Sequence, residues 1–109
     1  MANAFKNGTN NAISSSFTDL VTCPSGTGDT CVILSIMFCN SGSSGYTIGC
    51  RIVDSNNTVQ VTIADGMSIT GESALELCPN KFILTEGQKI QVNSNSTAVN
   101  VIVSYMEST

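Results

Sequence analysis

The sequence predicts an all-β fold, an antiparallel β-sandwich of jelly-roll type with about eight short strands and an N-terminal arm. Three observations predict it. Short apolar runs alternate with a period of two, the signature of half-buried strands. Gly, Pro, Asn and Asp separate the runs at near-regular intervals. No window carries a helical stripe: the best, Ser73 to Leu84, is interrupted by Pro79 and is rich in Ser, Thr and β-branched residues.

A chain of 109 residues makes one domain and can bury a core without metal or disulfide staples. Residues 1–16 read as an arm and 17–109 as the sandwich. In the arm, Ala4, Phe5 and Ile13 are scattered among Asn, Gly, Thr and Ser with no period. Two readings stand for it: a short edge strand plus loop, or an arm that orders against a neighbouring subunit.

Phe17 to Cys23 is the first strand candidate, ended by Pro24-Ser-Gly-Thr-Gly-Asp29, since Pro cannot donate to a ladder. Residues 30–40 follow. Here Cys31-Val-Ile-Leu-Ser-Ile-Met-Phe-Cys39 holds one polar side chain, Ser35, and is the most apolar run. It is far too short for a bilayer, which needs about 20 apolar residues. It reads as the central strand, with Val32, Leu34, Ile36 and Phe38 on one face, Ile33 and Met37 on the other, and both faces covered. Asn40 to Gly45 reads as a hairpin loop. Its return strand, Tyr46 to Asp54, alternates cleanly, with Tyr46, Ile48, Cys50 and Ile52 facing one way and Thr47, Gly49, Arg51 and Val53 the other, toward solvent or a partner.

Asp54-Ser-Asn-Asn57 is the next turn. Thr58 to Ala64 is expected to turn Val59, Val61 and Ile63 inward, and Asp65-Gly66 to end it. Met67 to Gly71 connects to Ser73–Cys78, where Leu75 and Leu77 share a face and Glu76 takes the solvated slot between them. Pro79-Asn80 turns the chain into Lys81–Thr85, and Glu86-Gly87 into Gln88–Asn93, with Ile90 and Val92 inward. After the loop Asn93–Thr97, Ala98 to Tyr105 closes the domain with Val99, Val101, Val103 and Tyr105 in phase.

Composition narrows the function classes. Charged residues are 11% of the chain, so the surface is rich in hydroxyl and amide groups. The net charge of −4 argues against nucleic acid, which selects a basic stripe. A surface short of charge is less protected against association and suits a protein that works inside an assembly. The opening residues lack the apolar stretch of a secretory signal. No membrane segment is expected, and the sequons at Asn7, Asn56 and Asn95 read as chance matches.

The sequence offers little for catalysis. There is no histidine, the commonest general base and metal ligand. The eight carboxylates form no spaced pair, and the Asp54 turn lacks the further oxygens of a calcium loop. No cofactor and no metal are expected. The five cysteines show no Cys-x-x-Cys spacing. Cys31 and Cys39 lie eight positions apart on one strand, roughly 26 Å at about 3.3 Å per residue, too far to share a bond or an ion. Five small buried residues with free thiols are the expectation; Cys23 and Cys78, each just before a proline, are the pair left to meet.

Several stretches carry a family resemblance. They are Leu20-Val-Thr-Cys-Pro-Ser25, a glycine-rich turn, Val32-Ile-Leu-Ser-Ile36 ending at Asn40, and Lys81-Phe-Ile-Leu-Thr-Glu-Gly-Gln-Lys-Ile-Gln-Val92. With the opening Met1-Ala-Asn-Ala-Phe-Lys6, they resemble the small virion structural proteins of tailed bacteriophages, above all marine and cyanobacterial phages. The cysteine count and the long Asn40–Gly45 loop depart from that pattern and leave the position open: head, neck or tail. The resemblance implies a non-enzymatic capsid decoration or cement subunit on the outside of the head, assembled in the bacterial cytoplasm. Its partners would be the major capsid protein, or neck and tail proteins, and further copies of itself, a trimer being the expected count. The candidate interface is Ala4, Phe5, Lys6 and Ile13, with Phe5 as anchor and Lys6 toward an acidic shell. A glycan- or receptor-binding module is the second class, its display loops marked by Asn40, Ser43, Tyr46, Asn93 and Asn95. A very small hydrolase is the third, disfavoured by the absent histidine.

Overall fold

The computed structural model describes residues 3–11 and 13–109. Among them are nine strands and no helix: β1 (Asn3–Asn10), β2 (Thr18–Thr22), β3 (Thr30–Asn40), β4 (Tyr46–Val53), β5 (Val59–Ile69), β6 (Ser73–Glu76), β7 (Phe82–Thr85), β8 (Lys89–Ser94) and β9 (Val99–Ser108). One sheet runs β1-β9-β3-β6, with β7 also on β3; the other runs β2-β8-β4-β5. All pairings are antiparallel. β6 and β7 lie end to end on one edge of β3, so they act as a single strand interrupted at Pro79. The rungs are then β1 with β9, β2 with β8, β3 with β6 and β7, and β4 with β5. A long hairpin rolled on itself gives this pattern, the jelly roll.

In the segment read as an arm, Asn3–Asn10 takes the edge-strand form of the first reading and is part of the sandwich; residues 1, 2 and 12 lie outside the described residues. β1 is an edge strand, in unbroken register with β9 from Asn3↔Ser108 to Asn10↔Val101. Irregular patterning is what an edge strand tolerates, because only one of its sides is paired. Ile13 continues inward and is fully buried in the core.

Residues 40–45 do not form a hairpin loop between paired strands. They cross from one sheet to the other, since β3 pairs with β9, β6 and β7 while β4 pairs with β5 and β8. Asn40, buried, holds this crossing. Its Nδ2 donates to Ser44 O at 2.8 Å and Thr70 O at 3.2 Å, and its Oδ1 accepts from Gly42 N at 2.9 Å. Local spacing reads the same for a hairpin and a crossover; only the side-chain staple separates them.

The central strand has one covered face and not two. A register shift between Ile33 and Ser35 marks a bulge that changes the strand's phase midway. Cys31 and Ile33 point inward before it, Ile36 and Phe38 after it, and all four are buried. Val32 and Leu34 therefore do not share the face of Ile36 and Phe38. β4 and β8 supply the opposing half of the core with Ile48, Cys50, Ile90 and Val92, and β9, beside β3, adds Val99, Val101 and Val103, with Tyr46, Ile52 and Tyr105 packed against them. Val53, expected to face solvent or a partner, is fully buried next to the β4–β5 register shift.

β5 differs from its expected form in two ways. Asp65-Gly66 does not end it: Gly66, at φ 69, is the extra residue between Gly49↔Asp65 and Ile48↔Met67, and the strand runs on to Ile69. A positive φ serves a bulge as well as a turn. Two further register shifts against β4, between Cys50 and Arg51 and between Ile52 and Val53, fall in its first half, where Val59 and Val61 are exposed and only Ile63 packs on the core.

Candidate interaction surface

The two outer faces of the sandwich differ in chemistry. On the β2-β8-β4-β5 sheet, Phe17 lies over Gly49, where a Cβ would stand 3.1 Å from the ring. Arg51 stacks on Phe17 at 3.8 Å from the ring centroid. Its Nε donates to Gln91 Oε1 at 2.9 Å, and Gln91 Nε2 donates to Asp19 at 2.8 Å. Lys89 closes the chain of contacts, 3.4 Å from Asp19. The hydrogen bond from Gln91, aided by Lys89, holds the Asp19 carboxyl below its ordinary range. Arg51, Gln91, Asp19 and Lys89 thus engage one another, while Val59, Val61 and Met67 of β5 stand exposed on the same sheet.

The outer face of the β1-β9-β3-β6/β7 sheet gathers exposed apolar side chains among uncharged polar ones, Asn7, Thr9, Ser35, Asn100 and Ser104. Strand registers put Phe5, Ile102, Leu34, Met37, Val32 and Ile83 on it. Phe5 is 79% exposed, Ile83 65%, Ile102 38%, and Leu34 and Met37 36% each. Phe5 overhangs a hollow of about 300 Å³ floored by Leu34 and Ile102 and edged by Lys6, Asn7, Ser104 and Tyr105. Exposed apolar side chains gathered on one face in this way suit an interaction surface. The one charged side chain the registers place on it is Glu76.

Glu76 is not simply solvated. β6 pairs with residues 37–40 of β3 and β7 with residues 30–33, leaving an interval at the bulge. The Glu76 carboxylate fills it, accepting from the Ser35 hydroxyl, from Ile36 N at 2.7 Å and from Cys78 N at 2.8 Å. Leu77 N donates to Ile36 O at 2.8 Å beside it. Desolvation pushes this carboxyl up, but the three donors outweigh it and hold it below its ordinary range.

The expected interface residues divide. Phe5 lies on the apolar face. Ala4 is exposed on the opposite side of β1. Lys6 Nζ is tied to Glu107 at 2.9 Å, a hydrogen bond and charge that raise the lysine's pKa, so it is engaged within the chain and not held out toward a shell. Ile13 is buried in the core of its own domain.

The display loops do meet at one end of the sandwich. Ser41 N donates to Ala98 O at 3.2 Å, and Thr47 N to Asn95 Oδ1 at 3.0 Å. Ser43 and Asn95 are exposed there. Asn40 and Tyr46 belong to the structure beneath: Asn40 staples the crossover and Tyr46 packs on the core. Asn93 is half-buried and donates to Ser15 O at 3.2 Å.

All five cysteines are free thiols. Burial is the main cause that raises Cys31 and Cys50 to about 12, and it also pushes up Cys23 and Cys78. The thiol facing Cys23 is Cys31, not Cys78, whose Sγ donates to Ile33 O and Asn80 O. Cys23 and Cys31 flank the β2–β3 connection, and both side chains point into the core, so the crossover between sheets brings them together.

No protein-family model matches the sequence, and no curated protein matches it. Solved structures do match in fold. A chain of the T13 viral particle of IBDV aligns over 96% of this chain with a TM-score of 0.53 and 11% identity. A chain from the structure of infectious bursal disease virus Gx strain aligns over 96% with a TM-score of 0.54 and 8% identity. The alignments span 30% and 32% of those longer chains. At such low identity the likeness is one of fold: this chain has the β-sandwich architecture of a segment of those virus-particle proteins.

Proposed function

We propose that this chain is a non-enzymatic structural protein of a virion, a decoration or cement subunit that binds the outside of an assembled head as a homo-oligomer. The observation that carries the reading is the jelly roll itself, which aligns with chains of a virus particle over nearly its whole length. The apolar outer face supports it, because a protein that works alone gains nothing from leaving Phe5 and Ile83 in water. A surface with few charges and a chain without histidine agree with an assembly role in place of catalysis. The sequence resemblance to tailed-phage virion proteins favours a bacteriophage particle and its major capsid protein as the partner.

The test is addition of purified chain to undecorated heads and, separately, to isolated tails, followed by sedimentation of the particles. Saturable binding to heads, at a fixed number of copies per head, is the expected result. Binding to tails alone moves the protein to the neck or tail. Binding to neither, across micromolar concentrations, overturns the virion reading.

A further inference from the structure

We infer that the outer face of the β1-β9-β3-β6/β7 sheet is a self-association surface, covered by the same face of a second copy around a two-fold axis. Size is the first argument. The face is four strands wide and about ten residues long; at about 4.8 Å between strands and about 3.3 Å per residue it spans roughly 600 Å² before side chains add relief. A stable interface buries about 800 Å² of accessible surface per partner, so the pairing uses the whole face.

Charge is the second argument, and it selects the occupant. The chain carries a net charge of −4, so two copies repel wherever their carboxylates meet. On this face the registers place one charged side chain, Glu76, and its carboxylate is already occupied by Ser35, Ile36 N and Cys78 N. Lys6 at the rim is paired with Glu107 of its own chain. The face therefore offers apolar and uncharged polar side chains, Asn7, Thr9, Asn100 and Ser104 among the latter, and no free charge that would repel a second copy. A two-fold arrangement meets it with one patch used twice and leaves no unsatisfied copy. Two such sheets stack at about 10 Å, with side chains from both interdigitating. Phe5, the most exposed apolar side chain of the patch, then enters the hollow between Leu34 and Ile102 of the other copy.

The pairing rests on this face alone. A chain that pairs but ignores heads and tails leaves it standing, and a chain that binds heads as a monomer overturns it, and the homo-oligomer with it, while head binding itself stands.

The test needs no substitution at first. Met37 lies on the face and is 36% exposed; Met67 lies on β5 of the other sheet and is 40% exposed. In a lone chain hydrogen peroxide oxidises the two at similar rates. When nine-tenths of the chains are paired, only the free tenth offers Met37, so its rate falls about tenfold while that of Met67 is unchanged. The expected result is that selective protection of Met37, rising with protein concentration, alongside a sedimenting species of twice 11.4 kDa. Phe5→Ser with Ile83→Ser, both at exposed positions that the core does not use, should return the chain to a monomer and equalise the rates. Val61→Ser, an exposed change on the other sheet, should alter neither. A monomer at all concentrations with equal oxidation overturns the proposal. So does a species whose mass is unaffected by the double substitution, or Met37 protected only on added heads.

Discussion

Replacing Glu76 by Ala removes the acceptor that fills the interval between β6 and β7. The amides of Ile36 and Cys78 lose a charged partner, and the Ser35 hydroxyl loses a third bond. Hydrogen bonds to charged groups contribute about 1.5–3 kcal/mol each where desolvated. Glu76 is exposed on its outer side, so solvent screens part of that. Water also reaches one of the freed donors, and about 2–3 kcal/mol is the expected total loss for Glu76→Ala. In a domain of this size that lowers the melting temperature by about 10–20 °C. Glu76→Gln keeps one acceptor oxygen and should lose roughly half as much. The pH dependence supplies an independent reading. The folded carboxyl sits below the unfolded value of 4.5, so its contribution is present above that pH and is lost as pH falls through the lower folded value. Urea titrations of both proteins between about pH 6 and pH 3 should show a shallower acid loss for Glu76→Gln, the remaining slope coming from Asp19 and other carboxylates. A loss below about 0.5 kcal/mol for Glu76→Ala, or parallel acid slopes in the two proteins, would refute the account of this residue as the bulge's acceptor.

Phe38→Ala should cost about 3–5 kcal/mol by chemical denaturation, since Phe38 is fully buried, while Met37→Ala, one position along and half outside, should cost under about 2; equal losses would mean the strand's phase is wrong. Gly71→Ala puts a Cβ 2.5 Å from the backbone oxygen of Ser43, so the crossover loop must shift, and a loss of about 1–3 kcal/mol in a thermal melt is expected; an unchanged melt would show that the loop is free to move. Thiol labelling of the native protein near pH 8 should modify Cys39, which is half-exposed, and spare the other four until urea is added; native labelling of Cys31 or Cys50, both raised to about 12 by burial, would contradict their burial.

Much of the fold was legible in the sequence. The period-two alternation of Tyr46–Ile52, Ile90–Val92 and Val99–Tyr105 assigned the strands and most of their inward faces, because in an undistorted strand side-chain direction follows from position alone; Val53, assigned outward, is buried. The absence of any helical stripe set the class, and Gly, Pro, Asn and Asp marked most of the ends. Three features were decided only by tertiary structure. The bulge at Leu34–Ser35 reversed the phase of the central strand, and no local pattern announced it, since an all-apolar run reads the same in either phase. The bulges of β5 likewise turned Val59 and Val61 outward. The pairing of Asn3–Asn10 with Val101–Ser108 joined the two ends of the chain, a contact between segments about a hundred residues apart that local propensity does not encode. For the same reason Phe5 could be singled out in the sequence as a candidate anchor, but the hollow it overhangs could not. Leu34, Ile102 and Phe5 belong to three strands, and only their registers put them side by side. Glu76 shows the limit most plainly: its alternation assigned it to solvent, and it does face outward, yet the interval it fills exists only because β6 and β7 meet the same edge of β3 and stop short of each other.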